Sequence, residues 1–352
     1  MSQAITSFNE TISKDHPVYT PEKGRYWLYA AGGCPYASRT LAARELKGLS
    51  KIIGVSFTHW QIGEGGLHFL EADPKEMGDK AYTVDGGMQS FKDDTSTPLG
   101  DIPDDSARLF VDGSFDPNNG AKTLRELYSI ACPEYSGAFS VPVLWDTKTK
   151  TIVNNDSGEI IRILNSSFNE FVDAEHSVDL APKDLIPELD AYNQWMGPNV
   201  NSGVYKVGLA TSQSVFEEQT VNLYESLDQV EAKLKGVYDD LVAKYGTDNN
   251  ESAVLKHYFL FANHITDTDI RLYTTIIRFD SIYVDHFTCN FKTIREDYPY
   301  ISKWVRNLYW NYPAFRRTTS FNQIKLFYTR SKKLIPTVVL TPLGPKADIP
   351  RL

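Results

Sequence analysis

Strand, turn and helix signals follow one another in the stretch Gly24-Arg-Tyr-Trp-Leu-Tyr-Ala-Ala-Gly-Gly-Cys34-Pro-Tyr-Ala-Ser-Arg39. Residues 26–31 are aromatic and aliphatic without a breaker, which predicts a buried strand. Gly32-Gly33 predicts a sharp turn. From Pro35 onward Ala, Leu and Arg dominate, which favour a helix, and proline is well tolerated at its first position. Cys34 is therefore predicted at the N-terminal end of a helix, in the gap that follows the strand.

This position predicts a reactive thiol at Cys34. The amide N–H groups and the positive dipole end of a helix N-terminus stabilise an anion, so we expect a nucleophilic thiolate near neutral pH. The alternative is a buried structural cysteine, the usual fate of a lone cysteine. Because Ala37 stands where a second cysteine would complete a Cys-x-x-Cys motif, a disulfide formed at Cys34 must be released by an outside thiol. Glutathione is the abundant candidate.

The composition bounds the class of protein. The chain has 352 residues, is 41% hydrophobic and 23% charged, and carries a formal net charge of -9. These values predict a soluble globular protein of two domains and argue against nucleic acid or a membrane surface as partner. Neither a long apolar run nor a signal peptide is recognisable, and we expect a cytoplasmic protein.

Cysteine and histidine patterns do not predict a disulfide framework or a metal site. The three cysteines (Cys34, Cys132, Cys289) are too few and too scattered for either, which fits a reducing compartment. The spacing of His257 and His264 also suggests no metal ligation. The C-terminal Pro350-Arg351-Leu352 loosely resembles the peroxisomal Ser-Lys-Leu signal, so a peroxisomal location is a second, weaker expectation.

The first half of the chain has a thioredoxin-like order of elements. After the first helix come a strand at 52–60, a long irregular insertion at 61–120, a helix at 123–131, strands at 140–146 and 151–155, and a helix from Asp156. In such a fold Pro142, at the edge of its strand, is expected to follow a cis peptide bond and to turn the backbone of Val141 toward a bound peptide.

Asp156-Ser157 stands at a predicted helix start, and two interpretations stay open. One is a plain N-cap, since both residue types are favoured there. The other is a ligand site in which the hydroxyl, the acidic group and the backbone N–H groups hold an amine and a carboxylate.

The second half has a helical period throughout. Leucine and valine recur at spacings of three and four from Leu223 to Leu241. Pro187 predicts a late start or a kink of its helix. Thr266 and Asp269 form a predicted capping box. The sequence divides into an arm at 1–23, an α/β thioredoxin-like domain at 24–170, an all-α domain at 180–325 and a basic, Pro-rich tail at 326–352.

Several segments together resemble the glutathionyl-hydroquinone reductases, or Xi class, and the fungal omega-like glutathione transferases. They are Gly24–Tyr29, Cys34–Ala37, Val141–Asp146, Ile152–Ser157, Gly203–Gly208, Asp269–Asp280, His286–Cys289 and Pro342–Lys346. The resemblance covers about residues 15–352. It implies the cytosolic glutathione transferase fold, a homodimer, and glutathione as co-substrate without a metal.

The resemblance also implies roles for individual residues. Cys34 would be the nucleophile, and Tyr205 and Tyr328 would face the oxygen of a quinone substrate. The residues implied to bind glutathione are Tyr36, Leu67, Val141, Pro142, Asp156 and Ser157. Family members usually carry Trp at positions 36 and 67, His at 38 and Ser at 158, where this chain has Tyr36, Leu67, Ser38 and Gly158.

Three functions follow as hypotheses. The first is removal of glutathione from glutathionylated hydroquinones through a Cys34–glutathione disulfide that a second glutathione resolves. The second is a general thioltransferase or dehydroascorbate reductase with a weakened quinone site. The third is a non-catalytic ligand-binding relative, since a fold does not determine a function.

Overall fold

The computed structural model describes residues 5–63, 65–70, 113–246, 251–330, 345 and 348–352. The chain forms two compact units, and each is treated by itself. The first comprises Met1–Ser177 and Arg317–Leu340, and the second comprises Val178–Arg316 and Thr341–Leu352. The chain therefore rejoins the first unit at Arg317, ahead of the predicted boundary at residue 325.

The first unit contains a four-stranded sheet and helices. Its elements are β1 (Tyr26–Ala30), α1 (Pro35–Leu46), β2 (Gly54–Phe57), α2 (Leu124–Ala131), β3 (Val143–Asp146), β4 (Thr151–Asn154), α3 (Ser157–Ser166) and, from the C-terminal part of the chain, α13 (Phe321–Arg330). The strand order is β2-β1-β3-β4. β1 runs parallel to β2 and antiparallel to β3, and β3 is antiparallel to β4. This is the predicted thioredoxin-like layout.

The apolar run at the start of the sequence forms the centre of this sheet. Every residue of β1 is buried, and Leu28 pairs with Val55 on one side and Leu144 on the other. α1 packs along α3, and the strand, turn and helix predicted over residues 26–46 are confirmed. Cys34 lies between β1 and α1, and its backbone position is fixed because both of these elements are packed in the interior of the unit.

The N-terminal arm covers one edge of the sheet. Glu10 N–H donates to the Val153 carbonyl at 3.0 Å, and Asn155 N–H donates to the Phe8 carbonyl at 3.1 Å. These bonds occupy backbone groups beside β4, which an edge strand otherwise leaves open.

A buried ion pair joins the arm to the sheet. Arg25 donates to both carboxylate oxygens of Asp146, with Nε–Oδ1 at 2.8 Å and Nη2–Oδ2 at 2.7 Å, and Nη2 also donates to the Val18 carbonyl. Burial by itself would raise the pKa of Asp146, but the hydrogen bonds from Arg25 and Thr149 outweigh it, and the pKa is lowered. The carboxylate is therefore ionised in the folded protein.

The second unit is helical over its described residues. Its elements are α4 (Ile186–Met196), α5 (Gly203–Gly208), α6 (Gln213–Tyr245), α7 (Glu251–Leu255), α8 (Asp267–Arg278), α9 (Val284–His286), α10 (Ile294–Asp297), α11 (Pro299–Asn311) and α12 (Pro313–Arg317). α4 begins at Ile186, so Pro187 lies in its first turn and marks a late start. π-helical turns follow α4 at Gly197–Asn201 and α8 at Phe279–Tyr283.

The predicted capping box is present at the start of α8. Asp269 accepts hydrogen bonds from the backbone N–H and the hydroxyl of Thr266 at 3.0 and 2.8 Å. The same carboxylate accepts from Leu260 N–H and from the Trp304 indole. One side chain thus fixes both the helix start and two neighbouring segments of the second unit.

The first residues of the predicted C-terminal tail belong to a helix. It was expected from residue 326, but α13 runs through Phe321–Arg330, and Ile324, Phe327 and Tyr328 are buried. Their spacing of three and four is that of one helix face. Most of the predicted insertion at 61–120, namely Glu64 and residues 71–112, lies outside the described residues.

No helix in the described part of the chain is long and apolar enough to cross a bilayer.

We predict that Arg25→Met lowers the free energy of unfolding by about 3–5 kcal/mol at pH 7, because it leaves the Asp146 carboxylate buried without its cation. The wild-type pair contributes stability above about pH 4, and this is lost as the pH falls through the lowered pKa of Asp146. In the variant, burial favours protonation of Asp146, so the difference between the two proteins should shrink at acid pH.

Urea denaturation at pH 7 and pH 4 measures this difference. The matched control is Lys148→Met, since Lys148 pairs with Glu22 at 2.7 Å on the surface and should change stability by less than about 1 kcal/mol. An Arg25→Met penalty that stays constant with pH would contradict the assignment to Asp146.

Candidate active site

Cys34 lies at the beginning of α1. It is the N-cap residue, with an extended backbone (φ -75°, ψ 121°), and Pro35 occupies the first turn. Ser38 closes this turn, since both its backbone N–H and its hydroxyl donate to the Cys34 carbonyl at 3.0 Å. Cys34 is partly exposed, and its predicted position at a helix N-terminus is confirmed.

The other two cysteines have different surroundings. Cys289 is fully buried in the second unit, its thiol donates toward the Val204 carbonyl at 3.9 Å, and burial raises its pKa to about 12. Cys132 is buried at the end of α2 in the first unit. Cys34 is thus the most exposed of the three, and a thiolate at neutral pH is excluded at Cys289.

The segment before β3 lies beside the Cys34 sulfur. The Val141–Pro142 peptide bond is cis, as predicted. The thiol of Cys34 donates to the Val141 carbonyl at 3.8 Å. Two residues that are more than a hundred positions apart in sequence are therefore neighbours at the end of the sheet where β1 ends and β3 begins.

Asp156 and Ser157 occupy the start of α3. Asp156 is the N-cap, and one of its oxygens accepts from Gly158 N–H at 2.8 Å and from Glu159 N–H at 2.9 Å. The capping interpretation is confirmed. Asp156 is nevertheless exposed, whereas Ser157 is buried, so a ligand role for the pair remains compatible with the geometry.

Arg39 connects Ser157 with the first turn of α1. Its Nη1 donates to the Ser157 hydroxyl at 3.2 Å. Its guanidinium carbon lies 4.5 Å from the ring centroid of Tyr36, in a cation–π arrangement. The structure therefore brings Tyr36 and Ser157 to the same buried cation, which the sequence did not single out.

Leu67 lies in a turn between β2 and α2. Its carbonyl accepts from Leu124 N–H at 2.9 Å, and Gly63 and Gly66 exchange two hydrogen bonds of 3.0 Å across the same turn. The residue is half-buried. The structure positions Leu67 through its backbone, and the implied contact with glutathione stays a prediction.

α13 packs directly onto the turn that precedes Cys34. A methyl group added at Gly33 would overlap Cβ and Cγ of Phe327. Tyr328, next to it on the same helix, is fully buried. The requirement for glycine at position 33 thus comes from a close approach by a helix far along the chain.

Tyr205 belongs to the second unit, on α5 just after the first π-helical turn. Its ring meets the edges of Tyr283 and Phe287, with centroids 6.1 and 5.1 Å away. It is half-buried. Within its unit it therefore sits in an aromatic cluster, and its implied role toward a quinone stays a prediction.

Asp173, Glu175 and His176 of the first unit form a group that could hold a metal ion, since their ligand atoms lie within 4.8 Å of one another. Both acids are exposed and His176 is partly buried. Exposed acidic groups are common without an ion, and this group carries no assignment.

Comparisons with known proteins agree with this geometry. Family models for the glutathione S-transferase N-terminal and C-terminal domains match residues 33–167 and 213–307. Glutathione S-transferase omega-like 2 of Saccharomyces cerevisiae is 49% identical, over 98% of this chain and 95% of its own. The chain belongs to the glutathione S-transferase family.

Two further relatives place this transferase within the family. Glutathionyl-hydroquinone reductase YqjG of Escherichia coli is 34% identical over 94% of this chain and 82% of its own. The Xi glutathione transferase ECM4 of Saccharomyces cerevisiae, solved in complex with glutathione, matches with a TM-score of 0.87 and 48% identity over 100% of this chain and 99% of that one. The resemblance to the Xi and omega-like group is confirmed, and the protein is a glutathione-dependent enzyme.

The site of this transferase contains two residues that the sequence did not reveal. Phe327 lies in a segment interpreted as tail, although its spacing from Ile324 is a helical signal. Arg39 lies in the stretch quoted at the start of the sequence analysis. A charged residue among the Ala, Leu and Thr residues of a buried helix is unusual, and this could have drawn attention to it.

We predict that Gly33→Ala lowers the free energy of unfolding of this transferase by about 1–3 kcal/mol, because the new methyl group displaces Phe327. Gly65→Ala is the control, since its nearest neighbour would be Thr123 Cγ2 at an ordinary 3.6 Å. Chemical denaturation of the two variants measures the contrast.

Combining Gly33→Ala with Phe327→Ala tests the cause. The double variant should lose less free energy of unfolding than the two single variants lose together, because Phe327→Ala removes the ring that the new methyl group would overlap. Strict additivity would show that Phe327 is not the source of the penalty.

Proposed function

We propose that this enzyme removes glutathione from glutathionylated hydroquinones, with Cys34 as nucleophile. The observation that supports this most is the partly exposed sulfur at the N-cap of α1, beside the cis Val141–Pro142 segment. A helix N-terminus favours the thiolate. The relative YqjG bears the name of this activity, and the glutathione complex of ECM4 supports glutathione as the bound thiol.

The proposed reaction has two steps. The Cys34 thiolate attacks the glutathione sulfur of the substrate, a sulfur–sulfur bond forms, and the carbon–sulfur bond to the ring breaks. The electron pair of that bond stays with the ring carbon, which takes up a proton and becomes the free hydroquinone. A second glutathione, as thiolate, then attacks the mixed disulfide, which yields oxidised glutathione and returns the Cys34 thiolate.

The first unit offers groups for the cysteinyl and the γ-glutamyl parts of glutathione. The backbone of Val141, next to the Cys34 sulfur, is proposed to pair with the cysteinyl part. Asp156 and Ser157 at the start of α3 are proposed to hold the γ-glutamyl end, where an exposed carboxylate and a hydroxyl stand side by side. Amide N–H groups at a helix start add to the binding of an anionic group.

A general thioltransferase or dehydroascorbate reductase is the second candidate. It is favoured by the smaller side chains in the site, since Tyr36 and Leu67 stand where family members usually carry Trp. In this chain Tyr36 lies beneath the Arg39 guanidinium. The comparison of rates on glutathionyl-menadione and on hydroxyethyl disulfide distinguishes the two candidates.

We predict that Cys34→Ser reduces turnover of glutathionyl-menadione by at least about 1,000-fold, because a serine hydroxyl is not ionised at neutral pH. Mass spectrometry after incubation with oxidised glutathione should show an adduct on the wild type that the variant lacks. Cys132→Ser is the control and should keep both activity and adduct. Undiminished turnover in Cys34→Ser would refute the mechanism, and a protein with neither activity nor adduct would be the non-catalytic relative.

The resemblance implies a role toward a quinone oxygen for Tyr328 and for Tyr205, and each role is proposed on that ground alone. We predict that Tyr328→Phe or Tyr205→Phe lowers kcat on glutathionyl-menadione by about 10–100-fold, the range of one proton-donating group. Rates on hydroxyethyl disulfide should change less than about threefold, since the thiolate that leaves has no quinone or phenol oxygen on which charge develops. Tyr300→Phe on α11 serves as control, and equal losses on both substrates would rule out a specific role at the quinone.

A further inference from the structure

Arg39 is a buried cation within the candidate site. It is 5% exposed, lies on α1 shortly after Cys34, and donates from Nη1 to the Ser157 hydroxyl at 3.2 Å. The ring of Tyr36 lies beneath its guanidinium at 4.5 Å. One side chain thus links the helix that begins at Cys34 with the first residue of α3.

This contact determines how Ser157 can act toward a ligand. A guanidinium carries only donors, whereas a serine hydroxyl has one proton and two lone pairs. Because Arg39 donates to the Ser157 oxygen, the Ser157 proton must go to some other acceptor. The Ser157 proton is therefore available for donation away from Arg39, and a carboxylate is a strong acceptor for it.

The neighbouring residue supplies the opposite character. Asp156 is exposed and presents a carboxylate, which accepts from an ammonium group. The positive charge of Arg39 behind Ser157 favours an anion there and disfavours an ammonium. The order of charges along Asp156-Ser157 thus matches the ammonium and carboxylate of an α-amino acid.

We propose that Arg39 is a positioning residue that orients the Ser157 hydroxyl toward a carboxylate, so that the site selects thiols with a γ-glutamyl α-carboxylate. The ring of Tyr36 packs against this guanidinium and restricts its movement. The inference rests on the proposed function in one respect, that glutathione is the thiol bound at Cys34.

Calorimetric titration with S-methylglutathione tests this role. Arg39→Met should weaken its binding about 10–100-fold, as expected when the orientation of a charge-assisted donor is lost. The second readout is the reduction of hydroxyethyl disulfide by a thiol. When glutathione is the varied thiol, its kcat/KM in Arg39→Met should fall by a similar factor. With cysteinylglycine, which lacks the γ-glutamyl group, it should change less than about twofold. Equal losses with both thiols, or unchanged binding, would overturn the proposal.

Two variants keep the test independent of folding defects. Arg39→Lys retains the charge but not the planar fork, and should weaken S-methylglutathione binding about 3–10-fold with cysteinylglycine rates unchanged. Arg125→Met is the matched control, because Arg125 also stacks on a ring, that of Phe139 at 4.3 Å, but on the exposed face of α2. A loss of binding in Arg125→Met equal to that in Arg39→Met would overturn a specific role.

A double-mutant cycle separates positioning from direct contact. Since Arg39 acts through Ser157, the double variant Arg39→Met/Ser157→Ala should bind S-methylglutathione about as weakly as Ser157→Ala alone. Additive losses would overturn the positioning role. A wild type that binds S-methylglutathione without turnover would refute the proposed reaction alone, whereas a wild type that does not bind it would refute both.

Discussion

Phe327 lies against the backbone of Gly33 with no space for a methyl group between them. The contact joins α13 to the turn between β1 and α1, and Cys34 is the next residue of that turn. Because β1 is buried on the sheet and α1 packs along α3, the turn is held from three sides. The direction in which the Cys34 sulfur points, and its closeness to Val141, depend on this packing.

Location rather than residue type sets the chemistry of the thiols. Cys34 begins a helix and is partly exposed, whereas Cys289 is enclosed by the apolar core of its unit, and its pKa is raised to about 12. The same logic applies to the cations. Arg25 forms a bidentate pair with Asp146 and stabilises the sheet, while Arg39 donates to the hydroxyl of Ser157 and holds it in place.

Most of the features that could be predicted from the sequence are local ones. The strand, turn and helix around Cys34 and the capping box of Thr266 and Asp269 each have their signals within a few residues, whereas the cis bond before Pro142 was predicted from the thioredoxin-like order of elements. The contacts of Phe327 with Gly33 and of Arg39 with Ser157 join positions that only tertiary packing brings together. No periodicity or spacing encodes them, so they were not predicted, and residues 326–330 of α13 were interpreted as tail because basic and proline residues follow them.

The first unit is discontinuous along the chain, since residues from Arg317 onward complete what the first 177 residues begin. During synthesis on the ribosome the sheet can form early, but Gly33 cannot make its contact with Phe327 until the chain has been synthesised as far as α13. Until then the nascent thioredoxin-like portion exposes an apolar surface beside Cys34. Chaperone dependence and sensitivity to truncation should accordingly be governed by the synthesis of α13.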